Sequence, residues 1–146
     1  MTTSTELNRR LRHIGEYIGT YPSDLLPKIT KFPAALILNT DPSNKPGQHW
    51  VAVYIKRNGV GEYFDPFGLQ PLMNEFINFL DNNCPNGWTF NDNTIQGINS
   101  INCGRFCYMF IILKSLDYSL VQIIKLFSRI HLLNDAIIDK YYNLFV

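Results

Sequence analysis

The sequence predicts an α+β fold in which helices pack on a small central antiparallel sheet. Three short runs rich in β-branched or aromatic residues are separated by turn-forming residues, as expected for consecutive strands. These runs are 34–38, 50–55 and 62–64. A later segment, 101–116, is apolar on nearly all sides, which indicates a helix buried at the centre of the domain. In the run 50–55 both alternating faces are apolar, so this strand is predicted to be central.

Shorter patterns predict the flanking elements. Thr3 and Glu6 form a capping box at the start of a first helix, whose apolar residues recur every three or four positions. Those residues are Leu7, Leu11, Ile14 and Ile18, and the helix is expected to end at Tyr21-Pro22. Pro71 suits the first turn of a second helix with one apolar stripe. That stripe consists of Leu72, Met73, Phe76, Ile77 and Leu80.

The remaining elements are a short strand and two C-terminal helices. The strand is predicted at 88–90, and the helices at 120–128 and 134–145. The apolar face of the last helix is expected to consist of Ile137, Tyr141, Leu144 and Phe145.

Composition restricts the class of protein. The chain has 146 residues, 46% of them hydrophobic, which suits one domain over 1–146 with a single core. The 3 cysteines cannot all pair, and neither a CxxC motif nor a zinc-ligand spacing occurs, so we expect free thiols, an intracellular location and no metal. We recognise neither a signal peptide nor an apolar stretch that would span a membrane, and we expect no membrane partner. The formal net charge of +1 gives no support to nucleic-acid binding.

Three distant residues suggest nucleophilic catalysis. Cys103 lies at the start of the predicted buried helix, while His49 and Asp65 each lie at the end of a strand-like run. A thiol is mostly protonated at neutral pH, but a helix N-terminus and a neighbouring imidazolium favour the thiolate. His49 would take the proton and return it to the leaving amine, and Asp65 would orient the imidazole. The pattern therefore predicts a thiol hydrolase, and most simply a protease.

Gln96 is the predicted side chain of the oxyanion hole. It precedes Cys103 by seven positions, and its amide together with the backbone N–H of Cys103 would stabilise the oxyanion formed in acyl transfer. Gly97 and Gly104 lack a Cβ and would let a substrate backbone approach closely. Each residue also has an ordinary explanation: a cysteine filling the core, a surface histidine, an aspartate that forms a turn. Their joint occurrence favours the catalytic interpretation.

Several motifs resemble those of the adenains, the maturation proteases of adenoviruses, within the wider group of viral and SUMO-type cysteine proteases. The resemblance runs from about Gly19 to Phe110. It includes Gly19-Thr20-Tyr21, 35–40, Gly47-x-His49-Trp50, Asp65-Pro66-Phe67-Gly68, Gln96-Gly97-x-Asn99-Ser100 and Cys103-Gly104-x-Phe106-Cys107-x-Met109-Phe110. It implies a papain-like cysteine protease architecture. The seven-residue separation of Gln96 from Cys103 favours the adenain branch over the SUMO proteases, in which it is typically one shorter.

The resemblance implies His49 as base, Asp65 as its orienting carboxylate, Cys103 as nucleophile and Gln96 in the oxyanion hole. It adds Trp50 as a wall of the substrate site, beside Gly104. One residue departs from the adenain pattern, which has Glu before Pro-Phe-Gly where this chain has Asp65, as SUMO proteases do. The shorter carboxylate requires the strand end to lie slightly closer to His49.

The family also implies substrates and activators. Adenains cut viral precursor proteins at Gly-containing sites, so polypeptide substrates, a host nucleus or cytoplasm, and packaging in virions are expected. Adenains are stimulated by DNA and by a short peptide that is disulfide-linked to a cysteine outside the active site. Cys84 lies in roughly the region of that cysteine, with a plain solvent-facing thiol as the alternative. The near-neutral charge argues against activation by DNA, and the chemistry itself requires no cofactor.

Two other functions remain open at this stage. One is an isopeptidase that removes ubiquitin-like modifiers, which would use the same chemistry on a different substrate. The other is a catalytically silent module that binds peptides in the old cleft. The presence of His49, Asp65, Gln96 and Cys103 together favours an active endopeptidase over the silent module.

Overall fold

The computed structural model describes residues 2–45, 49–97 and 100–144. Within these residues five strands form one sheet, and helices pack on both of its faces. The strands are β1 Tyr17–Pro22, β2 Ala34–Asn39, β3 Trp50–Ile55, β4 Gly61–Phe64 and β5 Trp88–Phe90. The helices are α1 Ser4–Leu11, α2 Asn74–Asn83, α3 Cys103–Ser115, α4 Leu120–Lys125 and α5 His131–Leu144. The fold is α+β, as predicted.

The strands follow one another across the sheet in chain order. The three strands predicted from β-rich runs, β2, β3 and β4, pair antiparallel. β1 and β5 join the two edges in parallel, so the sheet is antiparallel only at its centre. A parallel neighbour requires a crossover connection, and α2 provides it between β4 and β5.

The sheet separates two hydrophobic clusters. Ala52 and Tyr54 of β3 face one cluster, together with the apolar side chains of α3. Val51 and Val53 face the other, together with Phe76 of α2. Every residue of β3 is buried, which confirms the prediction of a central strand with two apolar faces. The result is a sheet between α2 on one side and the remaining helices on the other.

The first helix is shorter than predicted. Thr3 caps it by accepting a hydrogen bond from the backbone N–H of Glu6, but the helix ends at Leu11. Ile18, predicted on its apolar face, instead belongs to β1 and is 43% exposed. The segment after Leu11 extends beside β2 because its backbone pairs there, with Tyr17 opposite Ala35. This pairing with a distant segment outweighs the local helical periodicity.

The second helix also begins later than predicted. α2 starts at Asn74, so Pro71 and Leu72 precede it, and Leu72 is 71% exposed. The side chains that α2 buries are Phe76, Phe79 and Leu80. Of the predicted stripe, Phe76 and Leu80 are buried in the core and Met73 packs against it half-buried, whereas Leu72 does not reach it.

The central helix agrees with the prediction. α3 begins at Cys103, and nine of its residues are buried, including Lys114. Lys114 is tolerated there because its Nζ lies 2.6 Å from Oε1 of Glu62, which is also buried. In the described part of the chain no helix is both long and apolar enough to cross a membrane.

The last helix buries a different face from the one predicted. Asn134, Ile138 and Tyr142 are buried, whereas Tyr141 and Leu144 are 45% and 65% exposed. The rest of the predicted face does not form the core side either: Ile137 is only half-buried, and Phe145 lies outside the described residues. Ile137 and Tyr141 share one face of the helix, and Ile138 and Tyr142 share the adjacent face. Because the two pairs have the same residue types, hydrophobic periodicity fits either face. The choice between them is made by polar contacts of Asn134 that periodicity does not reveal.

Candidate active site

The fold places the three predicted catalytic residues beside one another. β3 and β4 are antiparallel neighbours, so the start of β3 and the end of β4 lie at the same edge of the sheet. His49 directly precedes β3, and Asp65 directly follows β4. α3 packs on β3 and begins at Cys103. Gly47 and Gln48 of the motif before Trp50 lie outside the described residues.

His49 and Asp65 form a direct pair. Nε2 of His49 lies 2.9 Å from Oδ1 of Asp65, and the two side chains are 19% and 7% exposed. The ring of His49 stacks on Phe67, with centroids 5.0 Å apart. Because Asp65 occupies Nε2, the other ring nitrogen, Nδ1, is left for the thiol. A site of nucleophile, histidine and carboxylate needs the carboxylate on one ring nitrogen and the nucleophile at the other, and the Asp65 pair supplies the first of these contacts.

Asp65 is itself held in place by neighbours that sequence reasoning missed. Its Oδ1 also accepts a hydrogen bond from the backbone N–H of Phe67, at 2.8 Å. Asn91 binds the backbone of Asp65 on both sides, accepting from its N–H at 2.8 Å and donating to its carbonyl at 2.7 Å. Asn91 follows β5 directly, and no motif in the sequence distinguishes it from the other asparagines nearby. Such partners fix the orientation of the carboxylate.

The environment of His49 favours its protonated form. Burial alone would lower the pKa of His49, but hydrogen bonds to Asp65 and Cys103 and the negative charges of both groups raise it from 6.5 to about 9. Since Cys103 contributes to this rise in the pKa, its side chain lies near the imidazole. An imidazolium beside a sulfur stabilises a thiolate and is ready to donate a proton to a leaving group.

Cys103 is nearly covered, and its sulfur is fixed against β3. Sγ of Cys103 accepts a hydrogen bond from the backbone N–H of Trp50 at 3.4 Å, and the residue is 5% exposed. Cys107, one helical turn later, donates to the carbonyl of Trp50, also at 3.4 Å. Cys103 is the first residue of α3, so its backbone N–H has no partner within the helix, and Asn102 before it forms no side-chain cap.

The residues predicted to line the substrate site contact the N-terminal segment of the chain. Nε1 of Trp50 donates to the carbonyl of Thr2 at 3.2 Å, and Thr2 is only 5% exposed. A Cβ on Gly104 would lie 2.9 Å from Cβ of Thr2 and 3.1 Å from Cδ1 of Trp50. The absence of a Cβ on Gly104 therefore does permit a close approach, and in this structure the side chain of Thr2 makes that approach. Sequence reasoning gave Thr2 no role in the site.

Gln96 lies in the loop that follows β5 and is 1% exposed. Its backbone N–H donates to the carbonyl of Pro66, next to Asp65, at 3.0 Å. Its side-chain Nε2 donates to the carbonyl of Ser100 at 2.9 Å, and its Oε1 is buried without a hydrogen-bond partner in the described part of the chain. An amide nitrogen carries two hydrogens, so one remains for an oxyanion. The structure records no direct contact between Gln96 and Cys103.

Cys84 is not the accessible thiol that either sequence interpretation requires. It follows the last turn of α2, is 4% exposed and packs in the cluster that contains Phe76 and Tyr63. Burial raises the pKa of Cys84 to about 11 and that of Cys107 well above its ordinary value. A disulfide to an external peptide needs an exposed sulfur, so this position gives that role no support. Among the described residues no cluster of three His, Cys, Asp or Glu side chains could hold a metal ion.

Comparison with known proteins identifies the fold. No protein-family model matches the sequence, and no curated protein gives a significant match. The ASFV pS273R protease has a similar structure, with a TM-score of 0.61 and 17% identity over 90% of this chain. This chain spans 61% of the length of that protease. The chain therefore shares the fold of this protease, whereas the likeness does not single out the adenains.

Two further solved structures show weaker likeness. The selenomethionine form of the ASFV pS273R protease gives a TM-score of 0.47 at 23% identity, over 62% of this chain and 38% of the protease. The central domain of the uncharacterized Lpg1148 protein from Legionella pneumophila gives 0.44 at 13% identity, over 89% of this chain and 88% of that domain. The fold assignment rests on the first structure alone.

Proposed function

We propose that this chain is a cysteine endopeptidase that acts through Cys103, His49 and Asp65. The observation that carries the proposal is the meeting of these side chains at one edge of the sheet: Nε2 of His49 lies 2.9 Å from Oδ1 of Asp65, and Cys103, whose sulfur accepts from the backbone N–H of the next residue, Trp50, is close enough to raise the pKa of His49. A structural cysteine or a turn-forming aspartate has no need of this arrangement. The fold shared with a viral cysteine protease supports the same conclusion.

The chemistry follows from the proton that His49 carries. With this proton on His49, Cys103 is the thiolate of a thiolate–imidazolium pair, and it attacks the carbonyl carbon of the scissile peptide bond. The C–N bond breaks as His49 returns the proton to the departing amine, which leaves a thioester on Cys103. A water molecule then attacks the thioester, with His49 accepting its proton, and release of the acid product restores the Cys103 thiolate beside protonated His49. Asp65 orients the ring throughout and stabilises its charged form.

The proposed oxyanion hole consists of the Gln96 side chain and the backbone N–H of Cys103. The second hydrogen of the Gln96 amide and the uncapped start of α3 support this assignment. Removing one such donor typically lowers kcat by about 10²–10³-fold.

The proposed substrates are viral or virus-like structural precursor proteins cut at Gly-containing sites. This assignment rests on the sequence resemblance to the adenains. The proposal needs neither a cofactor nor the disulfide-linked peptide for which Cys84 was considered.

The test uses a library of peptides with and without Gly near the scissile bond. The wild-type chain should generate new peptide termini, which mass spectrometry identifies, and Cys103→Ala should generate none while retaining the fold. Cys84→Ala provides a matched control, since it removes another buried thiol distant from His49. Cleavage by Cys103→Ala at the wild-type rate would overturn the proposal. Faster reaction with a ubiquitin-like C-terminal probe than with any peptide would assign an isopeptidase instead.

A further inference from the structure

One carboxylate on the last helix binds the segment that joins Gln96 to Cys103. Oδ2 of Asp135 accepts a hydrogen bond from the backbone N–H of Gly97 at 2.9 Å. Oδ1 of Asp135 accepts from the hydroxyl of Ser100 at 2.6 Å. These contacts connect positions more than thirty residues apart in the chain. Charged acceptors form the stronger class of hydrogen bond, so this side chain is a firm anchor.

The anchored segment is also the one that positions the amide of Gln96. The carbonyl of Ser100 accepts from Nε2 of Gln96, while the hydroxyl of the same serine donates to Asp135. Ser100 Oγ in turn accepts from the backbone N–H of Asn102, the residue before Cys103. A chain of hydrogen bonds therefore leads from Asp135 through Ser100 to the amide of Gln96, and a branch of it holds Asn102, the residue before Cys103.

The neighbouring residue on the same helix holds the other side of Gln96. Nδ2 of Asn134, which is fully buried, donates to the carbonyl of Ile95 at 3.0 Å. Asn134 and Asp135 thus bind the two peptide groups that flank Gln96, one at Ile95 and one at Gly97. Two consecutive polar residues of α5 fix the backbone on both sides of a single functional side chain.

Gly97 is required by this contact. A Cβ at that position would lie 2.6 Å from Oδ2 of Asp135, closer than non-bonded atoms approach. A side chain at position 97 would push the carboxylate away and break the anchor. The glycine in the Gln96-Gly97 motif therefore has a specific partner in α5, a region beyond the part of the chain that resembles the adenains.

We propose that Asp135 is a positioning residue that holds the Gln96–Cys103 segment in the geometry needed to stabilise the oxyanion. This inference rests on the proposed function. Asp135 acts through Ser100 and Gly97 and does not touch the reacting atoms itself. Small displacements of catalytic groups cost up to about 10²-fold in rate, so loss of the anchor should lower kcat more than it raises KM.

The test compares Asp135→Ala and Asp135→Asn with Asp139→Asn. Asp139 lies one turn later on α5 and pairs with Arg105, so its variant controls for charge removal on the same helix. We expect Asp135→Ala to lower kcat for peptide hydrolysis by about 10–100-fold with KM within about threefold. Asp135→Asn should fall between Asp135→Ala and the wild type, because an amide retains one acceptor oxygen. Asp139→Asn should retain the wild-type kcat.

Alkylation of Cys103 by iodoacetamide separates positioning from general damage, because that reaction forms no oxyanion. Asp135→Ala should keep the wild-type alkylation rate while losing hydrolysis. In a Gln96→Ala background the additional effect of Asp135→Ala should largely disappear, since both act on the same donor. Equal kcat in the wild type and Asp135→Ala, or full additivity with Gln96→Ala, would overturn the positioning role. A wild-type chain that hydrolyses no peptide would overturn the proposed function, and this inference with it.

Discussion

Replacing Asp65 by Asn should lower the pKa of His49 and with it the activity. Asparagine preserves the shape of the side chain and can still accept the hydrogen bond from the backbone N–H of Phe67. It loses the negative charge that lies 2.9 Å from Nε2 of His49. The substitution therefore tests the electrostatic role of the carboxylate with little change in packing.

The size of the effect follows from the environment of His49. Its pKa is raised from 6.5 to about 9 against an opposing contribution from burial, which corresponds to roughly 3 kcal/mol in favour of the charged ring. Asp65 exceeds Cys103 both as a hydrogen-bond partner and as a charge. Removing Asp65 should therefore lower the pKa of His49 by more than about one unit. Loss of the orienting carboxylate in comparable triads lowers kcat by about 10⁴-fold, and a decrease of about 10²–10⁴-fold is expected here.

The same raised pKa predicts how stability depends on pH. The folded-state pKa of His49 lies above its unfolded value of 6.5. Its protonation therefore stabilises the fold fully below pH 6.5, and this contribution is lost as the pH rises through about 9. In Asp65→Asn most of this contribution should be absent at every pH.

Histidine NMR measures the titration directly. The chain contains 3 histidines, and His49→Gln identifies the resonance of His49 by its disappearance. The wild-type resonance should titrate near pH 9, and Asp65→Asn should move the midpoint down. Asp92→Asn removes an exposed carboxylate and should leave the midpoint in place. A wild-type midpoint near 6.5, or the same midpoint in Asp65→Asn, would refute the reasoning.

Three other substitutions test separate parts of the structure. Gln96→Ala should lower kcat by roughly 10²-fold or more; it should also lower the Tm, because it removes the buried hydrogen bond from Nε2 to the carbonyl of Ser100, and an unchanged kcat would exclude it from the oxyanion hole. Gly104→Ala should destabilise the fold by about 1–3 kcal/mol in urea, because the added Cβ would lie 2.9 Å from Cβ of Thr2, and an unaltered midpoint would contradict this packing. Lys114→Met should cost about 3–5 kcal/mol by leaving Glu62 buried and unpaired, with most of the loss recovered when Glu62→Met is added; equal unfolding midpoints for the single variant and the wild type would contradict it.

Local sequence patterns were sufficient for the centre of the fold. In β2 and β3 both faces are apolar, and α3 is apolar nearly all round. A strand or helix without a polar face must be covered on every side, so these sequences predict one position only, at the centre of the fold. Where a local sequence pattern fits two structures, contacts with distant residues determine which one forms. Ile18 suits a helix by periodicity, yet its segment pairs with β2. In α5, the hydrogen bonds of buried Asn134 select Tyr142 over Tyr141 for the core.

The candidate site likewise contains residues that local sequence patterns predict and residues whose roles depend on the fold. His49, Asp65 and Cys103 were predictable because each lies at the end of a recognisable element, and their residue types match one kind of chemistry. Asn91 and Asp135, which hold Asp65 and the Gln96 loop, carry no such signal. Their roles depend on backbone groups brought close by the fold, and backbone hydrogen bonding to a distant residue leaves no spacing in the sequence. The burial of Cys84 was missed for a similar reason. Its neighbours in the sequence are typical of a loop, and they do not indicate that Cys84 packs in the hydrophobic cluster that contains Phe76 of α2.

The most direct measurement of the central claim is the rate at which each cysteine reacts with iodoacetamide at pH 6.5, followed by peptide mass spectrometry. If His49 makes Cys103 a nucleophile, Cys103 should react at least about 100-fold faster than the buried Cys84, and His49→Gln should abolish the difference. Equal reaction of the two thiols in the wild type, or a Cys103 rate that His49→Gln leaves unchanged, would contradict the account.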